Sequence, residues 1–142
     1  MTAGTTPGTT PGATRTFRIL SATETDVVSL GQTRDDVRAA LGDFRTFRRT
    51  PDSEEADQFV DSGAMATYSA DGSLVLLELA DPAEVELEGV QLVGESVESL
   101  VEALGAKGID VVPDEMGALV PSLSVGLYAP GGTVEGVGIG SD

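Results

Sequence analysis

The sequence predicts an α+β fold: two tandem repeats, each a helix followed by antiparallel strands, forming one compact domain with the helices packed on the sheet. Three observations carry this prediction. A short helix signature occurs twice, at Gly31–Gly42 and again sixty-three residues later at Gly94–Gly105. Each copy is followed by short β-like runs broken by glycine turns, Asp71-Gly72 in one and Gly131-Gly132 in the other. Each copy then closes on an apolar run, Leu74–Ala80 and Val134–Ile139.

Residues 1–14 repeat Gly-Thr-Thr-Pro and hold no large apolar side chain beyond Met1. With almost nothing to bury they cannot offset their ordering entropy, so a disordered tail is expected there. Residues 15–142 are then one domain, with repeat one at about 27–80 and repeat two at about 90–140. Thr16–Leu20 reads as a first strand. The helix follows at 34–41. Thr33 and Ser96 stand at the N-cap, where a side-chain oxygen takes up a free backbone N–H. Asp36, three after Thr33, comes close to a capping box. Val37 and Leu41 match Leu100 and Leu104, four apart on one face. Gly42 and Gly105 are placed just past each helix, where a left-handed residue closes it.

After Gly42, Phe44–Thr50 reads as a strand with no clean apolar face. Pro51–Asp57 reads as a solvated acidic loop, followed by strands at 58–60 and 64–69. Asp71-Gly72 suits the positive φ angles of a primed hairpin turn. Leu74–Ala80, nearly continuous in apolar residues, reads as a central strand covered on both faces or by a helix on one. Asp81-Pro82 breaks the pattern, and Val85–Leu87 and Val90–Leu92 lead to the second helix at about 96–104. Ile109–Val112, Ala118–Val120, Ser124–Ala129 and Val134–Ile139 complete the strands, with Pro113–Gly117 as a loop. At an offset of 60, Phe59 through Leu79 align without a gap on the second copy. That alignment sets Leu77 on Val137 and puts the chain's two tyrosines, Tyr68 and Tyr128, at one repeat position.

The helix pattern Gly-x-Thr/Ser, then Val or Leu four and eight residues after the cap, then Gly, followed by a meander of strands, resembles the β-lactamase-inhibitor-protein-like folds. These include a family of small outer-membrane assembly lipoproteins. The resemblance covers Gly31–Leu79 and Gly94–Ile139. Gly126-Leu127-Tyr128 also matches a terminal Gly-Leu-Tyr strand found in similar small bacterial proteins. The resemblance implies a two-copy, helix-plus-sheet inhibitor or assembly module. Those relatives are exported, whereas this chain has no lipidation Cys and no cysteine for disulfides.

The charge is lopsided. Residues 1–50 carry seven Arg against five acids, and residues 51–142 carry nineteen acids against Lys107 alone, for a net charge of −16. Such a field repels nucleic acid and anionic membrane and attracts basic partners. Acid-rich, Lys-poor surfaces also arise as salt or base-composition adaptations with no partner involved. With no Cys and no His, disulfides, thiol chemistry, the usual zinc sites and imidazole dyads are excluded. No cofactor motif is present, and Gly136–Gly140 reads as a glycine-rich last strand because no helix follows it. Glu78, inside an apolar run, reads as an outward-facing strand residue. Arg34, Arg38, Arg45, Arg48 and Arg49 lack the aromatic ladder of a nucleic-acid site and are expected to pair with the chain's own acids. The N-terminus lacks a charged start followed by an apolar core, so the expected location is the cytoplasm.

The acidic loops are the candidate partner-binding site: Asp52, Glu54, Glu55 and Asp57 in the first copy, Asp114 and Glu115 in the second. Lying along one edge they would form a composite acidic surface for a basic cleft. The expected function is therefore a non-enzymatic, acidic protein-binding module, of the immunity or inhibitor kind, for a basic protein. The alternative is a structural or accessory assembly protein with no inhibitory role.

Overall fold

Both helices start where a capping side chain stands. In the computed structural model, which describes residues 16–48, 50–53, 55–59 and 61–140, α1 spans Arg34–Leu41 and α2 spans Val97–Gly105. The Thr33 side chain accepts from the Asp36 N–H, and the Ser96 side chain accepts from the Ser99 N–H. Each bond satisfies one of the free donors of a first turn. Val37 and Leu41 of α1, and Leu100 and Leu104 of α2, are buried. Gly42 closes α1 with φ of +87°. Gly105 departs from expectation: it is the last residue of α2, and the left-handed residue is Gly108, with φ of +83°. A further turn, in which the Ile109 N–H donates to Leu104, carries the chain past Gly105 before it reverses. The tail expected at 1–14 lies outside the described residues.

The strands, in chain order, are β1 (Thr16–Ile19), β2 (Arg45–Arg48), β3 (Glu55–Phe59), β4 (Ala64–Tyr68), β5 (Leu74–Ala80), β6 (Glu84–Leu87), β7 (Val90–Gln91), β8 (Val112–Asp114), β9 (Gly117–Val120), β10 (Val125–Tyr128) and β11 (Gly136–Gly140). The protein is thus mostly β, with two helices among the described residues, and falls in the α+β class. Eight strands form an antiparallel sheet in the order β2-β3-β4-β5-β11-β10-β9-β8. A small sheet, β1-β6-β7, joins the start of the described chain to the segment between the helices, with β1 parallel to β6.

Alternation sorts the large sheet into two faces. Leu77, Leu79, Val137, Ile139, Val125 and Leu127 point to one side and are buried. They belong to a single core with Val37 and Leu41 of α1, Leu100 and Leu104 of α2, and Phe17, Ile19, Val85 and Leu87 of the small sheet. Two loop-to-helix connections are tied down by matching bonds. The Gly31 N–H donates to the Leu74 carbonyl, the Leu74 N–H donates to the Gln32 carbonyl, and the Arg34 N–H donates to Gly72. Gly94, Val134, Val97 and Gly132 make the corresponding bonds ahead of α2.

Four local expectations change. β3 begins at Glu55, so Glu55 and Asp57 sit in a strand rather than in a solvated loop. β8 lies at Val112–Asp114, so Pro113 and Asp114 pair with β9. Proline is tolerated there because β8 is an outer strand. The two tyrosines do not share a position. Ala66 pairs with Leu77 but Leu127 pairs with Val137, and the register shifts at Thr67/Tyr68. A bulge there adds one residue to the first half. It turns Tyr68 into the core, while Tyr128 is 47% exposed. In the turn after Tyr68 only Gly72 has positive φ, so the connection is not a two-residue primed hairpin.

Candidate functional site

The acidic residues singled out from the sequence do not form one surface. Asp52 is exposed before β3, and Asp114 and Glu115 are exposed at the β8–β9 hairpin. These hairpins stand at opposite edges of the sheet, and β3 and β9 are five strand spacings apart, roughly 24 Å. Glu55 faces Arg48 across the β2–β3 pair at 3.8 Å. Glu54 lies outside the described residues.

Asp57 is corrected most sharply, because it is fully buried and enclosed by partners. Its Oδ2 accepts from Arg38 Nε at 2.7 Å and from the Tyr68 hydroxyl at 2.9 Å. Its Oδ1 accepts from Arg38 Nη2 at 3.0 Å and from Thr46 Oγ1 at 2.9 Å. Arg38 in turn lies over the Phe44 ring at 4.0 Å, and Arg34 lies over Tyr68 at 5.0 Å. Burial alone would raise the Asp57 carboxyl, but the bonds from Arg38, Thr46 and Tyr68 outweigh it and hold the group below the usual carboxylate value. Burial, then the bond to Asp57, pushes the Tyr68 phenol up. Both groups keep their ordinary charge at neutral pH. This fork-to-carboxylate pair fastens α1 to the sheet. The arginines expected to meet internal acids do so at Arg38 and Arg48; Arg49 lies outside the described residues.

A second arrangement has more to offer a partner. On the face of the large sheet opposite the main core, paired residues line up across the strands as Val112, Leu119, Gly126, Gly138, Glu78 and Met65. The neighbouring row is Asp114, Gly117, Tyr128, Gly136 and Ala80. Three glycines on β10 and β11 therefore leave a floor without side chains between higher walls. The result is an open groove of about 600 Å³, walled by Leu119, Met116 and Tyr128 on one side and Met65 and Glu78 on the other. Val112, Met116, Leu119 and Tyr128 are 49%, 62%, 40% and 47% exposed, and they cluster at this end of the sheet. Asp114, Glu135 and Glu78 are the charges that line the groove, and no basic side chain lines it among the described residues. Of the acids singled out from the sequence, Asp114 is the one that lines it. Glu78 faces outward, as its place in the run suggests, directly across from Gly138.

No described cluster of acids has the makings of a metal site, and no described helix is long and apolar enough to cross a membrane. Comparisons with protein-family models, with characterised proteins and with solved structures find no match to this chain.

Proposed function

We propose that this chain is a non-enzymatic, acidic protein-binding module of the immunity or inhibitor kind, which docks a basic partner on the open face of its large sheet. The observation that carries the reading is the exposed apolar cluster Val112, Met116, Leu119 and Tyr128 on a molecule of net charge −16. A contiguous apolar patch on an otherwise charged surface marks an interaction site. The charge selects the sign of the partner and speeds encounter with it. With no cysteine the chain has no thiol or disulfide for any compartment to reduce or oxidise, and the reading places its action in the cytoplasm.

The reading includes a tandem duplication of a helix-plus-four-strand unit, in the manner of the β-lactamase-inhibitor-protein-like folds. Two features support it. The bonds around Gly31, Arg34 and Leu74 are matched around Gly94, Val97 and Val134. The seam pairs Leu77 with Ile139, Glu78 with Gly138 and Leu79 with Val137. Exchanging the halves at an offset of 60 returns the same set of pairs, as a fused two-fold dimer would require.

Affinity capture with the full chain, followed by identification of the bound protein, tests the proposal. The expected result is a basic protein whose association slows steeply with added salt. The double variant Leu119→Asp/Tyr128→Asp should bind it at least about tenfold more weakly, the scale of one hot spot. A neutral or acidic partner, or undiminished binding by the variant, would overturn the reading.

A further inference from the structure

We infer that the glycine-floored groove takes an extended, basic segment of a partner protein, whose apolar and cationic side chains alternate. The inference rests on the protein-binding reading and goes further in naming what enters the groove. The fold itself does not call for glycine along this floor. At Gly126 and Gly138 the backbone is ordinary and an added Cβ would meet no atom within 4 Å. At Gly136 the nearest atoms are the Leu79 carbonyl oxygen at 3.5 Å and Tyr128 Cβ at 3.9 Å, which are normal contacts. Gly140, next in the same alternation, differs: its φ is +91° and a Cβ would collide with the Val75 carbonyl. Glycine inside a strand forgoes packing and costs conformational entropy, and it marks places where another backbone comes close.

The groove's dimensions and charge choose the occupant. From Leu119 on β9 to Glu78 on β5 are three strand spacings, roughly 14 Å. Two sheets with ordinary side chains stack about 10 Å apart, and a segment above bare glycine can settle closer. Its inward apolar side chains would meet Leu119, Met116 and Tyr128. Its cations would reach Asp114 and Glu135 at the rim, and among the described residues no basic side chain lines the groove. A second copy of this chain is disfavoured because each copy carries −16.

Isotope-labelled full chain is titrated at physiological salt with a blocked heptapeptide alternating Lys and Leu, and with its counterpart carrying Glu in place of Lys. Saturable shifts of the Gly126, Tyr128, Gly136 and Gly138 amides are expected with the first peptide only. Gly126→Val/Gly138→Val should weaken that binding about tenfold or more with an unfolding midpoint that is no lower. Glu135→Lys, at an exposed position, gives a second variant that weakens binding without touching the floor. Basic-peptide shifts scattered over the acidic surface, with equal affinity in both variants, would overturn the groove and leave the basic-partner reading standing. Association with neither peptide would also overturn it, and partner capture then decides the broader reading by itself.

Discussion

The two halves of the molecule, α1 to β5 and α2 to β11, solve one packing problem with opposite chemistry. In the first, Arg38 reaches from the helix to Asp57 and Thr46 on the sheet. In the second, the corresponding places hold Val101, Ala118 and Pro113. Asp57 pairs with Ala66 beside Leu77, while Ala118 pairs with Leu127 beside Val137. An ion pair thus stands where its counterpart is apolar. The second half leaves Val101 38% exposed beside an open cleft of about 700 Å³ that Val97 and Pro113 also line. In the first half, Arg34 and Arg38 lie across Tyr68 and Phe44. The difference teaches that the ion pair is one way of seating a helix on this sheet and not a requirement of the fold.

The largest expected effect breaks the pair on one side. Arg38→Ala leaves a buried carboxylate without its cation and should cost about 3–5 kcal/mol in denaturant unfolding. Arg38→Val/Asp57→Ala, which copies the second half, should recover most of that loss, because an apolar replacement of a buried pair is commonly near neutral. Its acid profile should change as well. With a folded-state value below the ordinary one, Asp57 contributes stability that is complete above about pH 4. That contribution is lost as pH falls through the lowered value. The double variant should therefore show a shallower acid limb in its unfolding midpoint. An unchanged limb would mean that other carboxylates govern acid sensitivity. The smallest effect tests likeness between the halves. Thr33→Ala and Ser96→Ala should each cost about 1 kcal/mol, and a marked inequality would mean that the two caps are not equivalent.

What the sequence discloses follows how local each feature is. Both helices, their N-caps and the bounds of β5 depend on neighbouring residues, and they stand close to where the pattern puts them. The beginning of β3 was hidden because an aspartate in a polar run reads as loop; Arg38, nineteen residues away, together with Thr46 and Tyr68, makes its burial tolerable. The one-residue bulge at Thr67/Tyr68 was hidden because strand register is set by cross-strand pairing, which a gapless comparison of two stretches of sequence does not see. The groove was half visible. Glycines at 136, 138 and 140 alternate in the sequence, but the approach of Gly126 and the walls at Leu119 and Glu78 depend on register across four strands. Adding the acids at 52–57 to those at 114–115 in one surface failed because the two hairpins stand at opposite ends of the sheet and Asp57 is buried.

Those margins also decide how the sheet meets other chains. An outer strand with free N–H and C=O groups invites pairing by a further strand, and with it aggregation. Here β2 presents Arg45 and Arg48 along one margin, and β8 is three residues long with a proline at its centre. Proline has no N–H to donate, and a charged margin resists an incoming strand. Neither end of the eight-stranded sheet is therefore a ready template for growth. A polypeptide that meets this molecule finds both lateral routes obstructed, so the sheet can expose apolar side chains on its face without becoming the seed of a fibre.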